Sequence, residues 1–217
     1  MKLKKPDDSI PYELLEKNLM AAIDDARTAE IDIEDKKIYG ICLEKSDLAA
    51  TTFYRVTFDN CQLIQCTFEK ASFIDVIFKN CDFSNSNFSE GYFNRCEFIS
   101  CKFVGANLQD SNQQHISILE CNFHYANFQN TSFSHVHIKD SDMSQANISE
   151  CKLKSWSLDN TRFANTQFFK TPLKGIDFSH SEIDGIILSD QFVELQGAKV
   201  NTVQAVNLAK LLGVIVK

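Results

Sequence analysis

The chain has 217 residues, 44% of them hydrophobic, which suits one ordinary domain or one elongated repeat array and excludes a disordered tail. Its 22 basic and 29 acidic side chains leave a net charge of -7, a poor surface for nucleic acid and a better one for proteins that themselves bind nucleic acid. Eight cysteines come with no secretory leader, and no apolar run approaches the roughly 20 residues of a membrane span, so the sequence reads as a cytoplasmic protein with reduced thiols and no membrane partner.

At the start, MKLKKPDDSIPYELLEK places Pro6, Asp7 and Asp8 where an apolar signal core would begin. Residues 10–29, IPYELLEKNLMAAIDDARTA, have helical character, and residues 1–30 are expected to form a cap on whatever follows.

From Ile33 to Leu188 every fifth residue is apolar, with Gln113 as the single exception among 32 positions. Sixteen of the 18 phenylalanines fall in this register. A helix repeats its apolar face near 3.6 residues and a strand near 2, so neither element alone sustains a period of five. Two residues before each centre the chain carries Val56, Cys61, Cys66, Ala71, Val76, Cys81, Ser86, Gly91, Cys96, Cys101 and Ala106, small residues almost throughout. Positions two apart point the same way in extended chain, so each unit turns one small and one large residue inward, and the remaining Asn, Asp, Ser, Lys and Glu suit an outer face and a turn.

Units such as CDFSN, SNFSE, CKFVG and ANLQD resemble the pentapeptide repeat family. The resemblance, over residues 31–190, implies an all-β solenoid: a right-handed quadrilateral β-helix of about eight coils, four pentapeptides to a coil. Cys61, Cys81, Cys101 and Cys121, 20 residues apart, should then form one vertical ladder. Parallel strands set neighbouring Cβ atoms about 4.8 Å apart, too far for a disulfide, so core packing is the reading of the ladder. Eight coils would stand about 38 Å tall.

Residues 191–217 follow as a separate C-terminal module. In NTVQAVNLAKLLG, Asn201 can cap a helix with Gln204 three residues on, Ala205, Leu208, Ala209 and Leu212 make an apolar stripe, and Gly213 can end it. The final VIVK reads as a short strand. This tail resembles the end of quinolone-resistance pentapeptide repeat proteins, where a helix and strand join two chains tail to tail. A homodimer through Val203, Val206, Leu208, Leu211, Leu212, Val214 and Ile215 is implied, and an isolated end-cap is the alternative.

The search for chemistry yields no catalytic residue, cofactor site or metal site, and the sequence is read as a non-enzyme. His115, His135 and His180 fall at outer corners, and the sharper alternative is a divalent metal held by His115 and His135 with His137 and Asp140 nearby. Gln113 is expected to mark a local bulge, and Trp156, at a normally small position, to displace the wall of its coil.

Assigning charges by the 20-residue period, the faces of Phe53, Phe58, Leu63 and Phe68 sum to +1, -2, -2 and -4. The last holds Asp47, Glu69, Glu90, Asp110, Glu150 and Asp190 against Lys70 and Lys170, and these six carboxylates are the candidate partner-binding face. The resemblance implies protection of DNA gyrase or topoisomerase IV by an acidic rod shaped like duplex DNA, with a scaffold for an unrelated protein as the alternative. A charge of -7 over about 38 Å is one per ~5.4 Å, against one per ~1.7 Å in the duplex. Gram-negative quinolone-resistance proteins carry projecting loops, and residues 31–190 have none, so the chain is more similar to the loop-free Gram-positive type.

Overall fold

The computed structural model describes residues 3–7, 13–15, 18–211 and 213–216. It is a right-handed quadrilateral β-helix whose coils stack in parallel with a strict offset of 20. On the first face Ile33, Phe53, Phe73, Phe93, Gln113, Phe133 and Leu153 pair in succession. On the second, Ile38, Phe58, Phe78, Phe98, Ile118, Ile138 and Leu158 do the same. On the third face Cys42–Glu44 pairs with Gln62–Ile64, and beyond that the other two faces are held by single bridges, such as Asp82 to Lys102 to Asn122 and Asn87 to Asn107 to Asn127.

The five-residue ring spacing now has a structural cause. Each centre stacks on the centre one coil away, with Phe73 and Phe93 4.8 Å apart and Phe103 and Phe123 4.7 Å apart, close to the spacing of paired strands. Neighbouring faces meet edge to face, as Phe98 does with Phe103 at 5.3 Å and 81°. Phe83, Phe88, Phe93 and Phe98 are all buried. From Asp35 to Gly175 the corner after each unit takes a left-handed backbone, tolerated by Asn60, Asn80 and Asn130 and imposed on Arg55 and Tyr125.

The small inner positions do more than fill space. Sγ of Cys81, Cys101 and Cys121 each accepts the N–H of the cysteine one coil below at 3.4 Å. Where a hydroxyl stands in such a column it also donates to a carbonyl below, as Ser86 does to Leu63 at 2.7 Å and Thr131 to Leu108 at 2.9 Å. All eight cysteines are free thiols, and only Cys42 is exposed. Burial pushes the Cys96 and Cys151 thiols up to about 12, so they stay protonated and unreactive near neutrality. In a titration with Ellman's reagent the native protein should therefore show one fast thiol, and the denatured protein all eight; several fast native thiols would contradict the packing.

Gln113 makes no bulge. It pairs in register between Phe93 and Phe133 with its side chain inside. The amide is accommodated because the small position beside it is a hydroxyl: Gln113 Nε2 donates to Ser111 Oγ at 3.2 Å, and Ser111 in turn contacts Thr131 Oγ1 at 3.2 Å. A buried amide with a partner needs no distortion of the strand.

At the N-terminal end, helix α1 (Leu19–Ala29) lays Leu19, Ile23 and Ala26 into the core. The helical reading of residues 10–29 was too long, because Glu13–Leu15 is a strand pairing with Lys36–Ile38 and occupying the open edge of the first coil. Residues 3–7 run along the column instead: the Asp7 N–H reaches Asp75, Lys5 pairs with Glu97, and the Lys4 N–H reaches Nδ1 of His115 at 3.4 Å.

At the other end the coils do not all finish together. The third and fourth faces reach an eighth level, through Arg162 to Glu182 and Gln167 to Ile187. The first two stop at seven, with the strand Lys152–Asp159. Among the described residues no backbone hydrogen bond joins that strand to residues 172–179. Pro172 has no N–H to repeat the bond that Lys152 makes to Thr131 one coil below. Trp156 stands in the column of Val56, Val76 and Val136, half-exposed and edge-on to Phe133 at 5.1 Å, and it pairs with Val136 in the regular register. Residues 173–178 bond to the tail instead, Leu173 N–H to the Glu194 carbonyl at 2.9 Å and Phe178 N–H to that of Lys199 at 2.9 Å.

Helix α2 (Thr202–Leu211) begins with the expected reciprocal cap, Gln204 N–H to Asn201 Oδ1 at 3.0 Å and Asn201 N–H to Gln204 Oε1 at 2.9 Å. The same Gln204 amide donates to the carbonyls of Phe178 and Ser181, and Gly213, at φ 75°, ends the helix. The expected final strand is not formed: residues 214–216 pair with no other segment, since a strand requires a partner and the single chain offers none there.

Candidate protein-binding face

Four of the six carboxylates chosen from the sequence belong to one corner column, whose order is Lys70, Glu90, Asp110, Asn130, Glu150, Lys170, with Asp190 at its end. Asp47 and Glu69 lie on the flat of the same face. The outward side chains result from the repeat itself, because only the centre and the small residue of each unit turn inward.

The column is less acidic than its carboxylates alone. Lys70 lies 3.6 Å from Glu69 and 3.7 Å from Glu90, Lys170 lies 3.2 Å from Glu150, and Arg27 of α1 lies 3.3 Å from Asp47. Asp110 accepts from Asn130 Nδ2 at 2.6 Å. These are exposed contacts of small individual worth, and each lysine offsets part of the negative field a partner would meet.

Three constructions escaped the sequence reading, although the same 20-residue spacing encodes the first two. Asn87, Asn107, Asn127 and Asn147 form an amide ladder at 3.0 Å per step. Arg95 grips Asp75 with two bonds of 2.6 Å, and Arg55 grips Asp35 in the same way, in the column that continues into the stacked rings of His115 and His135. Asp75 is only 4% exposed, so Arg95→Ala should cost about 3 kcal/mol in urea unfolding by stranding a buried charge; a loss near zero would mean that water reaches the carboxylate. Glu194 closes the last coil, its carboxylate accepting from the Lys170 N–H at 2.8 Å and the Ser189 hydroxyl at 2.9 Å. Burial works against that charge, but the backbone N–H and Ser189 bonds outweigh it and hold the carboxyl below its ordinary value. Its contribution to stability is therefore present above the ordinary glutamate pKa and lost as pH falls through the lowered one.

The alternative metal set does not assemble. Burial, and then the charge of His135, pull the His115 ring below the ordinary histidine value. Asp140 is held by Asn160 at 2.7 Å, and among the described residues no group of three or more His, Cys, Asp or Glu side chains could hold a metal ion.

Models of the pentapeptide repeat region match residues 71–139 and 119–188, and a model of pentapeptide repeats in nine copies matches residues 43–97. The chain belongs to the pentapeptide repeat family. Among solved structures, a trypsin-treated variant of QnrB1, a plasmid-mediated fluoroquinolone resistance protein, is similar at 23% identity and TM-score 0.55 over 86% of this chain and 94% of that one. A second trypsin-treated QnrB1 variant gives 20% identity and TM-score 0.56 over 96% and 100%. These likenesses show the shared β-helix. No curated protein matches the chain. Among the described residues no helix of this pentapeptide repeat protein is long and apolar enough to cross a membrane.

Proposed function

We propose that this pentapeptide repeat protein is a cytoplasmic, non-enzymatic rod that binds a type II topoisomerase, DNA gyrase or topoisomerase IV, in place of DNA and protects it from quinolones. The observation that carries the reading is the corner column of Glu90, Asp110 and Glu150 on a filled solenoid. A filled interior leaves side chains on flat faces as the working surface, which suits a protein partner. Its likeness to a fluoroquinolone resistance protein supports the choice of partner. With Lys70 and Lys170 inside the acidic face, shape and specific contacts must do much of the recognition. The test is gyrase supercoiling with and without ciprofloxacin over a wide range of protein concentration: inhibition or relief of poisoning is expected, and no change in either would leave a scaffold for an unrelated partner.

The rod is proposed to act as a homodimer joined through the module of residues 191–217, with residues 1–30 and 31–190 as cap and β-helix. Val203 is 70% exposed, Leu211 44%, Val214 51% and Ile215 85%, while Val206 and Leu208 are half-buried, Leu208 against the core. Leu212 lies outside the described residues. So much apolar surface at one end calls for a cover. Leu211→Asp with Ile215→Asp should give a folded monomer by light scattering, since neighbouring coils support the solenoid locally; a wild type already monomeric at micromolar concentration would leave the module as an end-cap.

A further inference from the structure

The strand Lys152–Asp159 ends the ladder on two faces and leaves a parallel edge open. On lower coils the corner N–H of Asp75 reaches the Asn94 carbonyl and that of Asn80 reaches Ile99. The equivalent N–H groups of Ser155 and Asn160 make no such bond to residues 174 and 179. Leu153, Trp156 and Leu158, which correspond to fully buried residues in coils below, are half-exposed here.

On the first of its two faces the charge beside this edge is the reverse of the molecule's, while the second face carries Asp159 and Asp177. Residues 151–155 and 171–175 contain Lys152, Lys154 and Lys174 and no carboxylate, in a chain of net charge -7. All three lysines are exposed, and none takes part in the ion pairs of the described residues. Below the edge, on the outer wall of the first face, lies a depression of about 290 Å³ that runs from Asn112 and Gln114 past Phe133, 4% exposed, to Leu153, Lys152 and Lys154.

We infer that this open edge docks an extended, acidic segment of a protein partner. The segment adds as a strand to Lys152–Asp159, main chain to main chain, sets an apolar side chain against Phe133 and Leu153, and faces its carboxylates to the three lysines. Charge complementarity selects this occupant over a second copy's tail, because Val214–Val216 lies between Lys210 and Lys217 and brings no acidic side chain.

The single tryptophan sits at the edge and reports on it directly. The full chain is titrated with an acetylated, amidated octapeptide of alternating valine and glutamate, and with its valine–lysine counterpart. The acidic peptide should shift Trp156 emission saturably, slow amide exchange at Ser155 and Asn160, and bind at least about tenfold more tightly than the basic one. In Lys152→Glu, Lys154→Glu, Lys174→Glu, which changes exposed side chains only and is checked for unaltered circular dichroism, the preference should reverse. Equal binding of both peptides, no change in emission or exchange, or an unreversed preference would each overturn the inference. So would amides already protected in the free protein that become exposed when residues 213–217 are deleted, since the chain's own tail would then be the occupant.

Discussion

Phe93→Ala should destabilise the protein by about 3 to 5 kcal/mol, the cost of a large cavity in a close-packed core. The ring is fully buried, stacked on Phe73 at 4.8 Å and tilted against Phe88 and Phe98 at 6.2 and 6.1 Å. Its neighbour one coil on is Gln113, which has no ring to lean into the vacancy. The hole would also adjoin a buried amide whose satisfaction depends on Ser111 staying in place. Relaxation is restricted on every side because each neighbour is itself fixed by the column above and below it. Urea unfolding measures the loss, and a value below about 1 kcal/mol would place Phe93 outside the core and refute the five-residue register.

Reversing Glu90, Asp110 and Glu150 to Lys should largely abolish gyrase binding while leaving the fold intact. The change raises the net charge by 6, from -7 to -1, at corners where Glu90 is half-exposed and no core atom is disturbed. It would also set three new lysines beside Lys70 and Lys170, turning a column with compensated charge into a cationic one broken only by Asn130 before it ends at Asp190. Binding by the wild type should weaken with salt, since exposed charges are screened beyond about 8 Å at physiological ionic strength. The matched control is Asp82→Lys with Asp142→Lys, on the neighbouring face, which should do less. If both reversals bind gyrase as the wild type does, DNA mimicry is wrong even though the partner is right.

The architecture was legible because the repeat converts a one-dimensional interval into a fixed three-dimensional neighbour. Phe93 and Phe98 could be placed inside from spacing alone, and Cys61, Cys81, Cys101 and Cys121 in one column once the family resemblance implied four pentapeptides to a coil. The cap of Asn201 with Gln204 was equally local, since both partners lie within one helical turn. What escaped depends on who stands 20 residues away. Gln113 looks like a defect until Ser111 and Thr131 are seen beside it, and Asp75 looks exposed until Arg95 closes over it. The early stop on two faces needed Trp156 and Pro172 to be read together, and the arm at residues 3–7 follows no period at all. For the acidic face, the composition was visible in the sequence, but the lysine pairing that dilutes it is a matter of side-chain reach.

The most direct measurement is competition on purified gyrase between this protein and a linear DNA duplex, followed by anisotropy of the labelled duplex at low and physiological salt. Displacement of the duplex by the wild type, strongest at low salt and lost in the Glu90, Asp110, Glu150 reversal, is the predicted result. Simultaneous binding of protein and duplex, or no binding of the protein at either salt concentration, would contradict a rod that takes the place of DNA.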